Sequence, residues 1–378
     1  MIKEIMGTNS LKLDSFNQPL GTSLPSLQTL QILGFDRILD NFKTLEFGNR
    51  FNEPLGTYLE DCVSLQTLIF GDDFNQSLGT SLQDLKFLQN LRLGNNFNQQ
   101  LGTSLQGLKS LRTLTFNKFN QPLGTSLQGL KCLRILHFNE FNQPLGTSLQ
   151  GLTSLQTLTF NKFNQPLGTS LQGLSSLQKL HFYEFNQPLG TSLQGLTSLQ
   201  YLYLNNLNEP LGTSLQGLTS LQTLSFDKFN QPLGTSLQGL TSLRTLLFIE
   251  FNQQLGTSLQ GLTSLQNLTL DKFNQELGTS LQQGLRMLQH LFLSNFNQEI
   301  DTSLQGLSML ESLRLDSFNN PLGTSLQQGL LSLKSLFLPN FYQELGTTLQ
   351  GLTSLRLVCL KSKRITDTLL REYIYLEI

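Results

Sequence analysis

The 378-residue chain contains no tryptophan and no alanine, only two valines and few charged side chains. Charged residues make up 13% of the sequence, about half the usual share for a soluble domain. Leucine and 27 phenylalanines dominate the apolar residues instead. A composition this restricted argues against a set of ordinary globular domains, and few enzymes have one.

Excess charge of either sign is also absent. The chain has 25 Lys and Arg against 26 Asp and Glu, for a formal net charge of −1. A general nucleic-acid binder carries a positive surplus that neutralises phosphates, so this balance predicts no nucleic-acid partner. No apolar run approaches the roughly 18–20 residues that cross a bilayer, which predicts no transmembrane segment.

Cysteine is scarce. Cys62, Cys132 and Cys359 are an odd number, lie far apart and show no C-x-x-C spacing, so the sequence predicts neither a disulfide framework nor a metal site. The first residues, MIKEIMGTNS, also lack the apolar stretch of a secretory signal. Because secreted chains of this kind are often stapled by disulfides, we expect an intracellular location, in the cytoplasm or in an organelle after processing.

A repeat of about 22 residues runs through the chain. The tetrapeptide Phe-Asn-Gln-Pro, or a close variant, recurs every 22 residues from Phe97 onward, with two steps of 23. A typical unit, starting at Phe163, reads FNQPLGTSLQGLSSLQKLHFYE. The two longer steps contain an additional glutamine, in Gln282-Gln283-Gly284 and Gln327-Gln328-Gly329.

Each unit contains the pattern L-x-x-L-x-F or L-x-x-L-x-L, as in Leu155, Leu158 and Phe160. The alternation at its end predicts a short strand with apolar residues inward and variable residues outward. One unit cannot bury its inward side chains alone, so we expect successive turns to stack around a continuous core, with their strands in a parallel sheet. Proline and two glycines in the return segment disfavour a full α-helix and favour a 3₁₀ or short helical turn.

Two further columns of residues recur in every turn. The Phe of each Phe-Asn pair is predicted to stack on the next Phe, while a buried Asn amide bonds the backbone of the bend and repeats as a ladder. The position before each pair alternates in charge, so stacked strands about 4.8 Å apart place opposite charges side by side. Its members are Lys118, Glu140, Lys162, Glu184, Asn206, Lys228, Glu250 and Lys272.

The L-x-x-L-x-L units resemble leucine-rich repeats, and their Phe-Asn-Gln-Pro-Leu form resembles the FNIP-type repeats of protists. The resemblance covers roughly residues 16–360. It implies an α/β-type solenoid, a leucine-rich repeat arc or horseshoe with a parallel concave β-sheet and a convex side of 3₁₀ or short turns. It also implies a scaffold that binds another protein through its concave face.

The ends of the sequence depart from the repeat. We predict an N-terminal cap at 1–15, a solenoid of about 15 repeats at 16–360 and a C-terminal cap at 361–378, because an open solenoid end exposes its core and its strand edge. The irregular stretch after Phe16 is predicted to hold two strand cores, at 27–32 and 42–47.

The outward strand positions vary between otherwise uniform turns. Such variation is typical of a surface that reads a partner, although drift at tolerant exposed sites is the alternative. The large apolar members should face solvent, and a run of exposed aromatic residues usually marks an interaction site. The predicted partner-binding residues are Tyr201, Tyr203, His181, Leu247, Ile249, Phe292 and Phe337. The earlier strands are more basic, with Arg92, Arg112, Arg134 and Lys179.

Motifs for chemistry are missing. His137 and His181 lie two turns apart, about 10 Å at the strand spacing, which is too far for a shared zinc. No phosphate-binding loop occurs, and no Ser or Thr has a specified His and Asp partner. We therefore expect no enzyme activity, no metal and no cofactor. The leading hypothesis is a protein-binding scaffold with an unknown partner; the alternatives are an assembly subunit that packs through its convex Gly-Thr-Ser rows within a larger complex, and a receptor ectodomain.

Overall fold

The computed structural model describes residues 10–13, 43–60, 62–282, 284–327, 329–345, 347–361 and 373–377. The predicted strand core at 27–32, most of both predicted caps, and the inserted Gln283 and Gln328 lie outside these ranges, so the predicted division at 15 and 361 stays a prediction. The chain forms two compact units, Met1–Gln187 (unit 1) and Pro188–Ile378 (unit 2).

Within the described residues, regular secondary structure consists of short strands. The strands of unit 1 are β1 (Ser10–Leu13), β2 (Thr44–Phe47), β3 (Thr67–Ile69), β4 (Asn90–Arg92), β5 (Thr113–Phe116), β6 (Ile135–Asn139), β7 (Thr157–Asn161) and β8 (Lys179–Phe182). Those of unit 2 are β9 (Tyr201–Asn205), β10 (Thr223–Asp227), β11 (Thr245–Ile249), β12 (Asn267–Leu270), β13 (His290–Leu293), β14 (Ser312–Leu315), β15 (Ser335–Leu338), β16 (Leu357–Lys361) and β17 (Tyr373–Glu377).

Sequential strands pair in parallel from β1 to β8 in unit 1 and from β9 to β16 in unit 2. The register sets each repeat position against its counterpart in the next turn; His137, for example, lies opposite Thr159. The last pair, β16 with β17, is antiparallel. The predicted parallel sheet is therefore confirmed in each unit.

The strands form because every second side chain is apolar and buried. In β7 the burial pattern alternates between half-buried and buried positions, and the inward Leu158 and Phe160 are fully buried. Phe160 stacks on Phe138 and on Phe182 with ring centroids 5.3 Å apart in both cases. The Phe of the Phe-Asn pair stacks in the same way, with Phe141 and Phe163 6.2 Å apart. The predicted phenylalanine spine is thus confirmed within both units.

The return side of each turn is built from consecutive reverse turns. The backbone N–H of Ser126 donates to the carbonyl of Leu123, and that of Gln128 donates to Thr125, which is the i to i+3 bonding of 3₁₀-like turns. Gly124 has a φ of +52°, a left-handed conformation that favours glycine. The hydroxyl of the buried Ser126 donates to the carbonyl of Leu123 at 2.6 Å. The predicted short-turn side is confirmed, and none of the described segments forms an apolar helix long enough to cross a bilayer.

The asparagines of the Phe-Asn pairs form the predicted ladder. In unit 1 the backbone N–H of Asn164 donates to the side-chain oxygen of Asn142 at 2.8 Å, and in unit 2 Asn252 repeats this bond to Asn230 at 2.9 Å. The prediction that these amides are buried is wrong, because the side chains lie at the surface. Here the amide oxygen accepts a hydrogen bond from a backbone N–H at the bend, which follows the end of the strand and therefore takes no part in the strand pairing.

The column before each pair carries the predicted alternating charges. Lys162 bonds Glu140 at 3.0 Å, and Lys272 bonds Glu250 at 2.6 Å. Several members also have positive φ, among them Glu140, Lys162, Lys228 and Glu250, with φ of 60–63°. In these turns the residue therefore makes the sharp bend that ends the strand, in a conformation that disfavours most side chains.

Candidate functional site

The outward positions of unit 2 form straight rows across its strands. The strand pairing places Tyr203 beside Ser225, Ser225 beside Leu247, and so on in register to Cys359. This row, called the central row, consists of Tyr203, Ser225, Leu247, Thr269, Phe292, Arg314, Phe337 and Cys359. The predicted site residues Tyr203, Leu247, Phe292 and Phe337 are thus brought onto one line.

Bulky side chains in the central row alternate with other residues. Ser225 separates Tyr203 from Leu247, and Thr269 separates Leu247 from Phe292. Strands are about 4.8 Å apart, so successive bulky side chains are spaced by about 10 Å. The face therefore presents bulky apolar side chains that are separated by the smaller Ser225 and Thr269.

These side chains are only partly exposed. Tyr203, Leu247, Phe292 and Phe337 are all half-buried, and Ser225 is only 7% exposed between its two larger neighbours. The large apolar residues were expected to face solvent, and in the structure they are half-buried rather than exposed. Leu247, Phe292 and Phe337 each have a residue of the central row on both flanking strands, and these neighbours cover part of each side chain.

Two site residues lie beside the central row. Tyr201 is two residues before Tyr203 on β9, and Ile249 is two residues after Leu247 on β11, so both project from the same face of their strands. Both are half-buried. Ile249 lies opposite Asp227 in the register, which places a carboxylate at the edge of the apolar surface.

Arg314 is a member of the central row that the predicted site omits. Its guanidinium carbon lies 5.0 Å from the centre of the Phe292 ring, within the range of a cation–π contact. The same group forms two bonds to Asp316, at 2.9 and 3.2 Å. A planar guanidinium held by two bonds is well oriented for recognition, and arginine is enriched at binding hot spots. Its position among the outward residues was the only sequence signal for it.

His181 belongs to unit 1, whereas the other predicted residues belong to unit 2. It is half-buried and its ring stacks on that of Tyr183, with centroids 3.9 Å apart. Burial lowers the pKa of His181, and that of His137 two strands away, below the ordinary imidazole value of 6.5. Both rings are therefore mainly neutral at pH 7. Tyr183, 44% exposed, is an aromatic residue on this face that the sequence analysis did not single out.

The central row ends at Cys359, a buried thiol. Burial raises the pKa of Cys359, while the positive charge of Arg314 acts in the opposite direction. A thiol with a raised pKa is a poor nucleophile at neutral pH. In the part of the chain that the structure describes, no group of three His, Cys, Asp or Glu side chains is placed to hold a metal ion.

No protein-family model matches the sequence, and no curated protein matches it. Solved structures are similar in fold. CroV588, a circular leucine-rich repeat protein, is 22% identical with a TM-score of 0.58, and the match covers 95% of this chain and 60% of that one. A leucine-rich repeat protein of Leptospira interrogans is 23% identical with a TM-score of 0.66, over 79% of each chain. Toll in the Toll–Spatzle complex from Drosophila is 16% identical with a TM-score of 0.71, over 93% of this chain and 50% of that one.

These similarities show the leucine-rich repeat fold, which confirms the predicted fold class. At identities below 25% they show the fold alone. The chain spans less than two thirds of the length of CroV588 and half of the Toll chain that it matches.

Proposed function

We propose that this chain is a non-enzymatic leucine-rich repeat scaffold that binds a partner protein through the outward strand face of unit 2. The contact residues are Tyr201, Tyr203, Leu247, Ile249, Phe292 and Phe337, with Arg314 as an oriented polar contact. His181, with Tyr183, would extend the contacts on unit 1. The proposal includes membership of the FNIP-type repeats, on the strength of the Phe-Asn-Gln-Pro units, and an intracellular location, which the odd number of cysteines favours.

The observation that carries the proposal is the composition of the central row. Bulky apolar side chains and an oriented arginine occur there, on a frame whose inward columns hardly vary. Interface hot spots are enriched in Tyr, Trp and Arg, and aromatic side chains supply large contact areas. Toll, which shares this fold, is seen in complex with Spatzle, so the fold supports protein recognition.

The alternative is an assembly subunit that packs through its return side. The threonines of the Gly-Thr-Ser rows are exposed in successive turns, at Thr213, Thr235 and Thr257. This surface is nearly free of charge and repeats with the strand spacing. It would suit lateral packing in a larger complex.

Two matched triple variants separate these functions. The strand-face variant places three negative charges on the strand face, through Tyr203→Asp, Leu247→Asp and Phe292→Asp. The return-side variant places three on the return side, through Thr213→Asp, Thr235→Asp and Thr257→Asp. Each tagged variant is purified from cells and its co-purifying proteins are quantified by mass spectrometry. The proposal predicts that only the strand-face variant loses the partners of the unmodified chain. Circular dichroism controls for folding, and a triple alanine variant of the strand-face residues serves if the charged one unfolds.

Retention of all partners by a folded strand-face variant would overturn the proposal. Loss of partners only with the return-side variant would support the assembly subunit. Light scattering provides an independent measurement, since assembly predicts particles that grow with concentration.

A further inference from the structure

Unit 1 contains a long segment of one charge sign. Residues 86–139 include seven Lys and Arg and no Asp or Glu, although the whole chain is almost balanced. The segment covers three successive turns, those that lead into β4, β5 and β6. The excess is therefore local and concentrated in a short part of the stack.

Five of these cations lie along one edge of the sheet. Lys86, Lys109 and Lys131 each occupy the second position of a reverse turn that precedes a strand, as the bond from the N–H of Leu111 to the carbonyl of Leu108 shows for Lys109. Arg112 and Arg134 directly follow the second and third of these turns, and the N–H of Arg134 donates to the carbonyl of Arg112 at 2.8 Å. All five are exposed. Together they are called the basic rim.

The basic rim differs from the other stacked charges of the molecule. In other columns neighbouring turns set opposite charges together, as in Glu140 with Lys162 and Glu250 with Lys272, and where Arg356 follows Lys334 in unit 2, Lys334 is paired with a carboxylate. Glu311 and Lys334, which form an ion pair at 2.9 Å, occupy the same repeat position as Arg112 and Arg134. In the described residues none of the five rim cations has an ion pair. Like charges one strand spacing apart repel each other, and a bound anionic group would relieve that repulsion.

An exposed aromatic side chain adjoins the rim. Phe87 follows Lys86 and is 62% exposed, the largest exposure among the large apolar side chains described. In most other turns this position carries a smaller residue such as Ser110 or Ser154, while Met287 and Met309 hold it in unit 2. The rim thus combines positive charge with one apolar contact.

We infer that the basic rim, with Phe87, binds a short acidic peptide segment of a partner protein that also carries an apolar residue. The three turns span about 10 Å, which matches three or four residues of an extended peptide at about 3.3 Å per residue. The rim belongs to unit 1 and shares no residue with the strand face of unit 2, so the inference does not depend on the proposed function.

A long polyanion fits less well. The preceding segment, residues 46–84, contains seven Asp and Glu and one Arg. A nucleic-acid strand that followed the stack beyond the rim would therefore meet carboxylates, which repel phosphates. A short acidic segment ends before it reaches them.

The test uses the full chain and a fluorescein-labelled peptide of alternating Asp and Glu with one Leu. Its controls are the same peptide with Asn and Gln in place of the acids, and a labelled single-stranded oligonucleotide of equal charge. Fluorescence anisotropy gives each Kd at low and at high salt. We expect the acidic peptide to bind most tightly and its affinity to fall as salt rises, because exposed charges are screened.

A matched pair of variants locates the binding. The first pair of substitutions, Arg112→Gln with Arg134→Gln, removes two charges from the rim. The second pair, Arg244→Gln with Arg356→Gln, removes two charges from the same repeat position in unit 2. The first pair should weaken peptide binding about fivefold, as expected for two exposed charge contacts, and the second pair should leave it unchanged. Equal effects of the two pairs, equal binding of the amide peptide, or tighter binding of the oligonucleotide would each overturn the inference. The co-purification experiment with the strand-face variant of unit 2 is a separate measurement, so this inference and the proposed function can fail independently.

Discussion

The side-chain oxygen of Asn120 accepts a hydrogen bond, 2.8 Å long, from the backbone N–H of Asn142 one turn later in the sequence. Asn142 then accepts the same bond from Asn164. Each asparagine is both a rung of the ladder and the support for the next one. The amide therefore supplies a partner for a backbone N–H at the bend.

Replacing one rung should weaken the stack by a small and defined amount. Asn142→Ala removes the acceptor for the N–H of Asn164, and we expect a loss of about 0.5–1.5 kcal/mol in the free energy of unfolding. Asn142→Asp keeps an acceptor oxygen and should lose less. Chemical denaturation followed by circular dichroism measures both. An aspartate variant as unstable as the alanine variant would contradict a role for the acceptor.

The phenylalanine spine should tolerate leucine better than alanine. Leu204, fully buried in β9, occupies the repeat position that Phe160 holds in β7. Phe160→Leu loses four ring contacts but keeps most of the volume, so we expect a cost of about 1–2 kcal/mol. Phe160→Ala should cost about 3–5 kcal/mol because it leaves a cavity. Denaturation midpoints compare the two, and equal losses would show that ring volume does not govern this position.

The turns in which the residue before the Phe-Asn pair is left-handed offer a stabilising change. Lys228 has a φ of 60°, and Asn206 holds the same repeat position with a φ of 66°. Asparagine tolerates this conformation better than lysine, so Lys228→Asn should raise the free energy of unfolding by roughly 0.5–1 kcal/mol. Lys228→Ala removes the same charge without easing the backbone. A gain of equal size with alanine would assign the effect to charge instead.

Stability should depend on pH through the two histidines of unit 1. Burial lowers the pKa of His137 and of His181, so the unfolded chain binds these protons more readily than the folded chain. Their contribution is complete above the ordinary value of 6.5 and is lost as the pH falls through that value towards the lowered pKa of the folded state. Denaturation midpoints should therefore fall between about pH 7.5 and pH 5.5.

The variant His137→Gln with His181→Gln should flatten this pH dependence. His290→Gln, at an exposed site, is the matched control. A slope that survives the double substitution would attribute the effect to other groups.

The repeat of about 22 residues made much of the architecture predictable from sequence. Leu155, Leu158 and Phe160 recur with so little variation that their inward direction, the parallel pairing and the phenylalanine spine follow from one unit. The asparagine ladder was predictable for the same reason, because a column of identical residues must make identical contacts. Proline and glycine likewise identified the return side as turns.

Local spacing alone could not predict how far the ladder is exposed. Asn142 was expected to be buried, yet its side chain is at the surface, because the bend turns outward at the left-handed Glu140. The sequence also did not predict the positive φ at this position, because lysine and glutamate are not residues typical of the left-handed conformation.

The sequence by itself determined which side of each strand is buried and which residues share a row. Only the tertiary structure decided how much of Tyr203 is exposed beside Ser225 and Leu247, how Arg314 is held by Phe292 and Asp316, and which stacked cations lack a carboxylate. The physical reason is distance along the chain. Inward and outward directions depend on neighbours two residues away, whereas exposure and charge pairing depend on side chains one turn away, whose packing the pattern of a single unit does not contain.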